Sequence, residues 1–131
     1  MIWRCFTGTK LSPITFMEGT VNTNVYIALL QDNLLPFIDA IIANGTTNIV
    51  FQQNNTFSHI SKKTRAWFDT VISEHSFVRI KWPPNSLDRN PIKNLWMHLK
   101  TELHRRYPDT KTLYRSSNVI RRTLRARLIE V

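Results

Sequence analysis

The chain has 131 residues, enough for one domain with a hydrophobic core but short for two. Apolar residues make up 42% of it, a fraction typical of a folded protein rather than a disordered one. The net charge of +9 favours a polyanion, nucleic acid first, as the partner. The alternative is a basic surface that binds nothing.

Cysteine usage and hydropathy exclude further classes. The single cysteine, Cys5, rules out an internal disulfide framework or a cysteine-based metal cluster, and its apolar surroundings predict a buried thiol. The longest apolar stretch, residues 25–43, is interrupted by amides, two aspartates and a proline, so we expect no membrane-spanning segment. The first residues lack the pattern of a secretory signal, and we expect an intracellular protein.

The N-terminal part is predicted to form a hairpin followed by helices. Residues 2–6 and 14–17 are β-type runs joined by a turn, which favours an antiparallel hairpin. Asn22 or Thr23 is predicted to cap a helix, which Pro36 should interrupt before a second short helix.

A short apolar run is followed by four side-chain amides. Residues 49–51 are continuously apolar, which is typical of a strand buried on both faces. Polar side chains at the C-terminal end of such a strand favour a functional site, and the alternative is a solvated loop. The four amides belong to Gln52, Gln53, Asn54 and Asn55.

The next segments are predicted to be a helix and a strand. Ser61 should start the helix, and residues 77–80 should form the strand. The apolar side of the helix is expected to hold Ala66, Trp67, Val71 and Ile72.

The stretch WPPNSLDRNPIKNLW, residues 82–96, begins as a loop and ends as a helix. Asn90 is a good N-cap, and Pro91 suits the first helical position. Apolar residues then recur at helical spacing to about Arg106. Lys93 lies in the first turn, where a cation is mildly unfavourable for the helix dipole, so local structure gives no reason for a lysine.

The C-terminal quarter is strongly basic. From Lys100 onward there are nine lysines and arginines against three acidic residues, which is +6 of the total +9. Pro108 should end the preceding helix, and a last basic helix is predicted after it.

Three stretches together resemble Tc/mariner-type DDE transposases over residues 2–107. FQQNNTFSHIS resembles the family's FQQDNAPIHTS, and WPPNSLDRNPIKNLW resembles its WPAQSPDLNPIENLW. The first 37 residues resemble the family's stretch of the form WGCFS…GVGPLVFIEGTVNSEKYIEIL…LLPF. The resemblance implies an α/β fold of the RNase H-like (DDE integrase/transposase) class, with a partial DDE catalytic domain over residues 1–107 and a basic helical tail over 108–131.

The resemblance also implies an active site of three carboxylates that hold two Mg²⁺ ions. The second acidic position falls on Asn54 and the third on Lys93, while the first would precede Ile2, so we expect the first central strand to be absent. Two like charges at ~4 Å repel by about 1 kcal/mol even in water, so Lys93 disfavours a dication. We therefore expect no bound metal and no cofactor, and lost rather than retained catalysis.

The resemblance implies DNA as the partner, a nuclear location, and a possible homodimer. Two alternatives remain: an Mg²⁺-dependent strand-transfer enzyme completed by an upstream segment or another chain, and a translated relic without function. The candidate phosphate contacts are basic residues, each of which could equally be a solvated surface charge. They are Lys62, Lys63, Arg65, Arg105, Arg106, Arg121 and Arg122.

Overall fold

The computed structural model describes residues 1–84, 86, 89–111 and 117–130. The chain forms two compact units, Met1–Leu87 and Asp88–Val131. The first contains helices and two small sheets, and the described part of the second is helical.

The first unit begins with the predicted antiparallel hairpin. Strand β1 (Ile2–Trp3) pairs with β2 (Thr15–Phe16), so the paired segments are shorter than the apolar runs that predicted them. Ser12, which is almost fully buried, accepts the N–H of Cys5 through its hydroxyl and holds the loop between the strands. Cys5 itself is half-buried, and burial raises the pKa of its thiol to about 11.

The helical segment after the hairpin is continuous through Pro36, so the predicted interruption is wrong. Helix α1 (Thr23–Leu29) starts at Asn22, whose side chain accepts the N–H of Val25 as predicted for a cap. A π-helical segment (Leu30–Leu34) then leads directly into α2 (Leu35–Ala43). The π-helical segment ends just before Pro36, so the proline lies in the first turn of α2. Residues in the first turn of a helix need no main-chain N–H donor, which is why proline is tolerated there.

The stretch Thr23–Ala43 is long and apolar enough, by length and composition, to cross a membrane. In the structure it supplies most of the buried core of the first unit. Its buried side chains lie on one side of the helix, and most of its polar side chains, such as Gln31, Asp32 and Asp39, are exposed. The buried residues are Tyr26, Leu29, Leu30, Leu34, Leu35, Ile38 and Ile41.

Strands β3 (Ile49–Phe51) and β4 (Phe77–Arg79) form a parallel two-stranded sheet. The prediction that β3 is buried on both faces is wrong. Val50 and its cross-strand partner Val78 are 56% and 55% exposed, because only the opposite face of this sheet packs against the core. The continuous apolar run therefore marks a strand with one buried face.

Helix α3 (Phe57–Ile60) is a single turn, and α4 (Lys62–His75) follows with Ser61 as its N-cap, as predicted. The centre of the buried face of α4 is Phe68, which is fully buried, whereas Ala66 is exposed, contrary to the predicted stripe. Phe68 contacts aromatic rings of β3 and β4, with ring centroids 5.6 Å from Phe51 and 6.4 Å from Phe77. These contacts rotate the helix relative to the predicted face.

The second unit is built on α5 (Ile92–Arg106) and α6 (Ser117–Glu130), joined in part by a 3₁₀ turn at Pro108–Lys111. Helix α5 begins one residue after the predicted Pro91, and the side chain of Asn90 accepts the N–H of Ile92. Leu103 and Leu128 are the buried apolar side chains that α5 and α6 contribute among the described residues.

Candidate functional site

The loop that follows β3 is held to helix α1 by a buried hydrogen bond. The hydroxyl of Tyr26 donates to Oε1 of Gln53 at 2.5 Å, and both side chains are buried. The Gln53 amide also donates to the main-chain oxygen of His59 at 3.0 Å. Gln53 thus joins three parts of the first unit: α1, the end of β3, and α3. It is a structural amide, not a free ligand.

His59 reinforces this junction. Its ring stacks on Tyr26 with centroids 4.1 Å apart, and its Nδ1 lies 3.3 Å from the main-chain oxygen of Asn54. Burial lowers the pKa of His59, which favours the neutral imidazole near pH 7. The histidine of the FQQNNTFSHIS stretch therefore positions the loop around Asn54.

The side-chain oxygen of Asn54 is directed into its own loop. It accepts the hydroxyl of Thr56 at 2.8 Å and the N–H of the same residue at 3.3 Å. This pattern is an Asx-type turn, in which the amide oxygen replaces a main-chain acceptor. Asn54 therefore offers a neutral oxygen that already accepts two hydrogen bonds.

The neighbouring amides differ from Asn54 in their environment. Asn55 donates to the main-chain oxygen of Trp82 at 3.0 Å, which joins the middle of the FQQNNTFSHIS stretch to the start of the WPPNSLDRNPIKNLW stretch. Trp82 in turn donates its indole N–H to the oxygen of Ser86 at 3.2 Å. Gln52 has a buried Nε2 without a hydrogen-bond partner among the described residues.

Lys93 lies in the first turn of α5, in the second unit, and is exposed. Its main-chain N–H donates to the oxygen of Asn90, as expected for the start of a helix. An open groove of about 540 Å³ runs along this side of α5. It is lined by Lys93, Trp96, Met97, Lys100, Thr101 and His104.

These residues do not fit Mg²⁺. A hard dication prefers charged oxygen ligands, and the two matching positions hold an engaged neutral amide, Asn54, and a cation, Lys93. Within residues 1–84, 86, 89–111 and 117–130, no three His, Cys, Asp or Glu side chains are grouped as a metal site. Asp88 lies outside the described residues.

Of the predicted phosphate contacts, three lie together on the first turn of α4. Lys62, Lys63 and Arg65 are all exposed. Lys63 donates to the side-chain oxygen of Asn24 on α1 at 2.5 Å, which fixes its position. The structure thus brings these three cations to one end of a helix, where their charges add.

Arg105 and Arg106 are both paired with a carboxylate that the sequence prediction did not use. Glu102 accepts two hydrogen bonds from Arg105, at 2.8 and 2.6 Å, and one from Arg106 at 2.7 Å. The two arginines hold the pKa of Glu102 at about 2. The i,i+3 and i,i+4 spacing was the available signal for these pairs.

The remaining predicted arginines lie on α6. Arg122 is exposed, while the side chain of Arg121 lies outside the described residues. Arg127, which the prediction did not select, pairs with Asp109 at 2.8 and 3.0 Å and lies 4.7 Å from the centroid of the Tyr107 ring. Arg127 therefore stabilises the packing of α6 on the turn after α5.

Comparison with known proteins gives the family of the chain. The family described as DDE superfamily endonuclease matches residues 5–114. The transposable element Tcb2 transposase of Caenorhabditis briggsae is 31% identical over 100 residues, which are 76% of this chain and 34% of that protein. The transposable element Tc1 transposase of Caenorhabditis elegans is 31% identical over 103 residues, 79% of this chain and 35% of that protein. The match thus spans about a third of the length of these relatives.

Proposed function

Because the chain belongs to the DDE superfamily endonucleases, among the Tc/mariner-type transposases, we propose that it is a transposase-derived domain that binds DNA without cutting or joining it. The observation that carries this proposal is the pair of residues at the family's acidic positions. Asn54 is neutral and Lys93 is cationic. Neither supplies the carboxylate that the resemblance implies for strand transfer.

The physical argument concerns charge. Two-metal catalysis of phosphodiester attack needs two dications about 4 Å apart to activate the nucleophile and stabilise the leaving oxygen. Carboxylates offset much of the charge of such a pair, whereas an ammonium group adds to it. A site with Lys93 attracts phosphate more readily than Mg²⁺. The same substitution that disfavours metal therefore favours retention of DNA.

We also propose that the RNase H-like sheet lacks its first central strand within residues 1–131. The two separate sheets of the first unit support this, because in that fold a central strand joins the hairpin to the parallel strands. Here β1–β2 and β3–β4 have no shared strand among the described residues. Such unpaired edges favour self-association, and a homodimer formed through them is part of the proposal.

The basic residues near the C-terminus support separate roles for two parts of the chain. We propose that residues 1–107 are the partial catalytic domain and that residues 108–131 add positive charge for DNA. A protein that acts on chromosomal DNA is expected in the nucleus, and that location belongs to the same proposal. Imaging of a tagged chain tests it directly: exclusion from the nucleus would contradict it.

Binding of the purified chain to a short duplex across a salt series tests the DNA-binding part. Counterion release predicts that log K falls linearly with log salt concentration, with a slope of about −0.9 per phosphate contact. The variant Lys62→Gln/Lys63→Gln/Arg65→Gln should reduce that slope by about two to three. The matched control Asp69→Asn, on the same helix α4, also changes charge but should not reduce the slope. Absence of salt-sensitive binding would leave the relic as the better account.

A further inference from the structure

The described lining residues of the groove along α5 all belong to that one helix. Its lining residues recur every three or four positions, so they form one stripe along the helix. Glu102 lies on the opposite side of α5, since it is two residues from Lys100 on a helix of 3.6 residues per turn. The groove therefore lies away from the pairs that Glu102 makes with Arg105 and Arg106.

Charge on this stripe is positive, and no described residue forms an ion pair with it. Residues 88–131 contain eleven lysines and arginines and four acidic residues, which is +7 of the total +9. Lys93 and Lys100 are exposed and form no ion pair with any described residue, in contrast to Arg105 and Arg106. No described lining residue is acidic. The groove is thus complementary to an anion that extends along the helix.

Apolar and aromatic groups lie between these cations. Met97 is 57% exposed, and Trp96 is half-buried with part of its side chain in the groove. An exposed apolar group beside unpaired lysines is poorly matched to water and to duplex DNA, which presents phosphates but hides the faces of its bases. Single-stranded DNA presents both, and base stacking on aromatic side chains is a major part of its recognition.

We propose that the α5 groove binds single-stranded DNA, with Lys93 and Lys100 on phosphates and Trp96 and Met97 against a base. The proposal rests on the proposed DNA-binding function and names the site and the form of DNA. The two lysines are seven residues apart, about 10 Å along the helix axis, so they contact different phosphates of one strand. Thr101 and His104 extend the polar wall of the groove beyond Lys100.

Binding to a fluorescent oligothymidine and to a duplex of equal length, each across a salt series, tests this. The full chain should bind the single strand more tightly. Lys93→Gln/Lys100→Gln should reduce the salt slope for the single strand by about 1.4, since each phosphate contact contributes about 0.7. The matched control is Lys10→Gln/Lys81→Gln, which removes two exposed lysines from the first unit and should leave the slope nearly unchanged.

Trp96 supplies a second readout. Oligothymidine should quench tryptophan fluorescence in the wild type, and Trp96→Leu should lose that quenching together with roughly 5- to 150-fold in affinity. Circular dichroism and thermal unfolding identify any variant that fails to fold. If Trp96→Leu does not fold, the salt slope of Lys93→Gln/Lys100→Gln still tests the α5 site, because these exposed lysines are not needed for packing.

The outcomes separate this inference from the proposed function. If Lys93→Gln/Lys100→Gln and Lys10→Gln/Lys81→Gln reduce the salt slope equally, the α5 site is overturned. Tighter binding of the duplex than of the single strand would also overturn it. Either result would leave the proposed DNA-binding function intact. Absence of binding to either form of DNA would overturn both. Selective loss for Lys93→Gln/Lys100→Gln with preference for the single strand would support the site.

Discussion

Replacing Tyr26 by phenylalanine should destabilise the first unit through a single lost hydrogen bond. The ring would keep its stacking on His59, but Oε1 of Gln53 would lose the hydroxyl that donates to it at 2.5 Å. Both groups are buried, so water cannot easily replace the donor. Leaving a buried acceptor unsatisfied costs about 1–3 kcal/mol, and we expect a decrease of about 2 kcal/mol in the free energy of unfolding.

Urea unfolding followed by circular dichroism measures this decrease. With a slope of about 1–3 kcal/mol per molar urea, the midpoint should fall by roughly 1 M while the slope stays constant. The matched control is Tyr107→Phe, which removes an exposed hydroxyl bonded to Glu130 and should change the midpoint little. Equal midpoints for Tyr26→Phe and the wild type would refute the assignment of Gln53 as the junction of α1, β3 and α3.

Three further predictions concern Phe68, His59 and Glu102. Phe68→Ala should reduce the free energy of unfolding by about 3–5 kcal/mol, because the ring is fully buried among aromatic groups, and a loss below 1 kcal/mol in urea unfolding would contradict that packing. Burial lowers the pKa of His59 in the folded chain, so between that lower pKa and the ordinary value of about 6.5 the unfolded chain binds more protons than the folded chain. The free energy of unfolding should therefore fall as the pH decreases through this range. The variant His59→Gln should remove this part of the pH dependence of stability. The Glu102 carboxyl should titrate near pH 2 by NMR, and a midpoint near 4 would show that its arginine pairs do not form in solution.

Local signals in the sequence predicted much of the secondary structure. Asn22 and Ser61 act as N-caps through their own side chains, a property of a few neighbouring residues. Features that depend on contacts between elements that are not neighbours in the sequence were not predicted.

Two such features were not predicted, the π-helical segment before Pro36 and the burial of Phe68. Both depend on what the helices pack against. The candidate site shows the same division. The motifs identified Asn54 and Lys93 by position alone, whereas the Tyr26–Gln53 hydrogen bond joins residues 27 positions apart and has no local pattern. The ion pairs of Glu102 could have been predicted, because Arg105 and Arg106 follow it at i+3 and i+4. The net charge of the C-terminal quarter suggested more unpaired arginines than the structure has, since Arg127 is also paired, with Asp109.

The most direct test of the central claim is a nicking assay on supercoiled plasmid with the purified chain and Mg²⁺. The account predicts DNA binding without conversion to nicked or linear plasmid, because Asn54 and Lys93 do not supply carboxylates. Asn54→Ala should behave like the wild type. Mg²⁺-dependent nicking by the wild type that Asn54→Ala abolishes would contradict the account and assign Asn54 to a working active site.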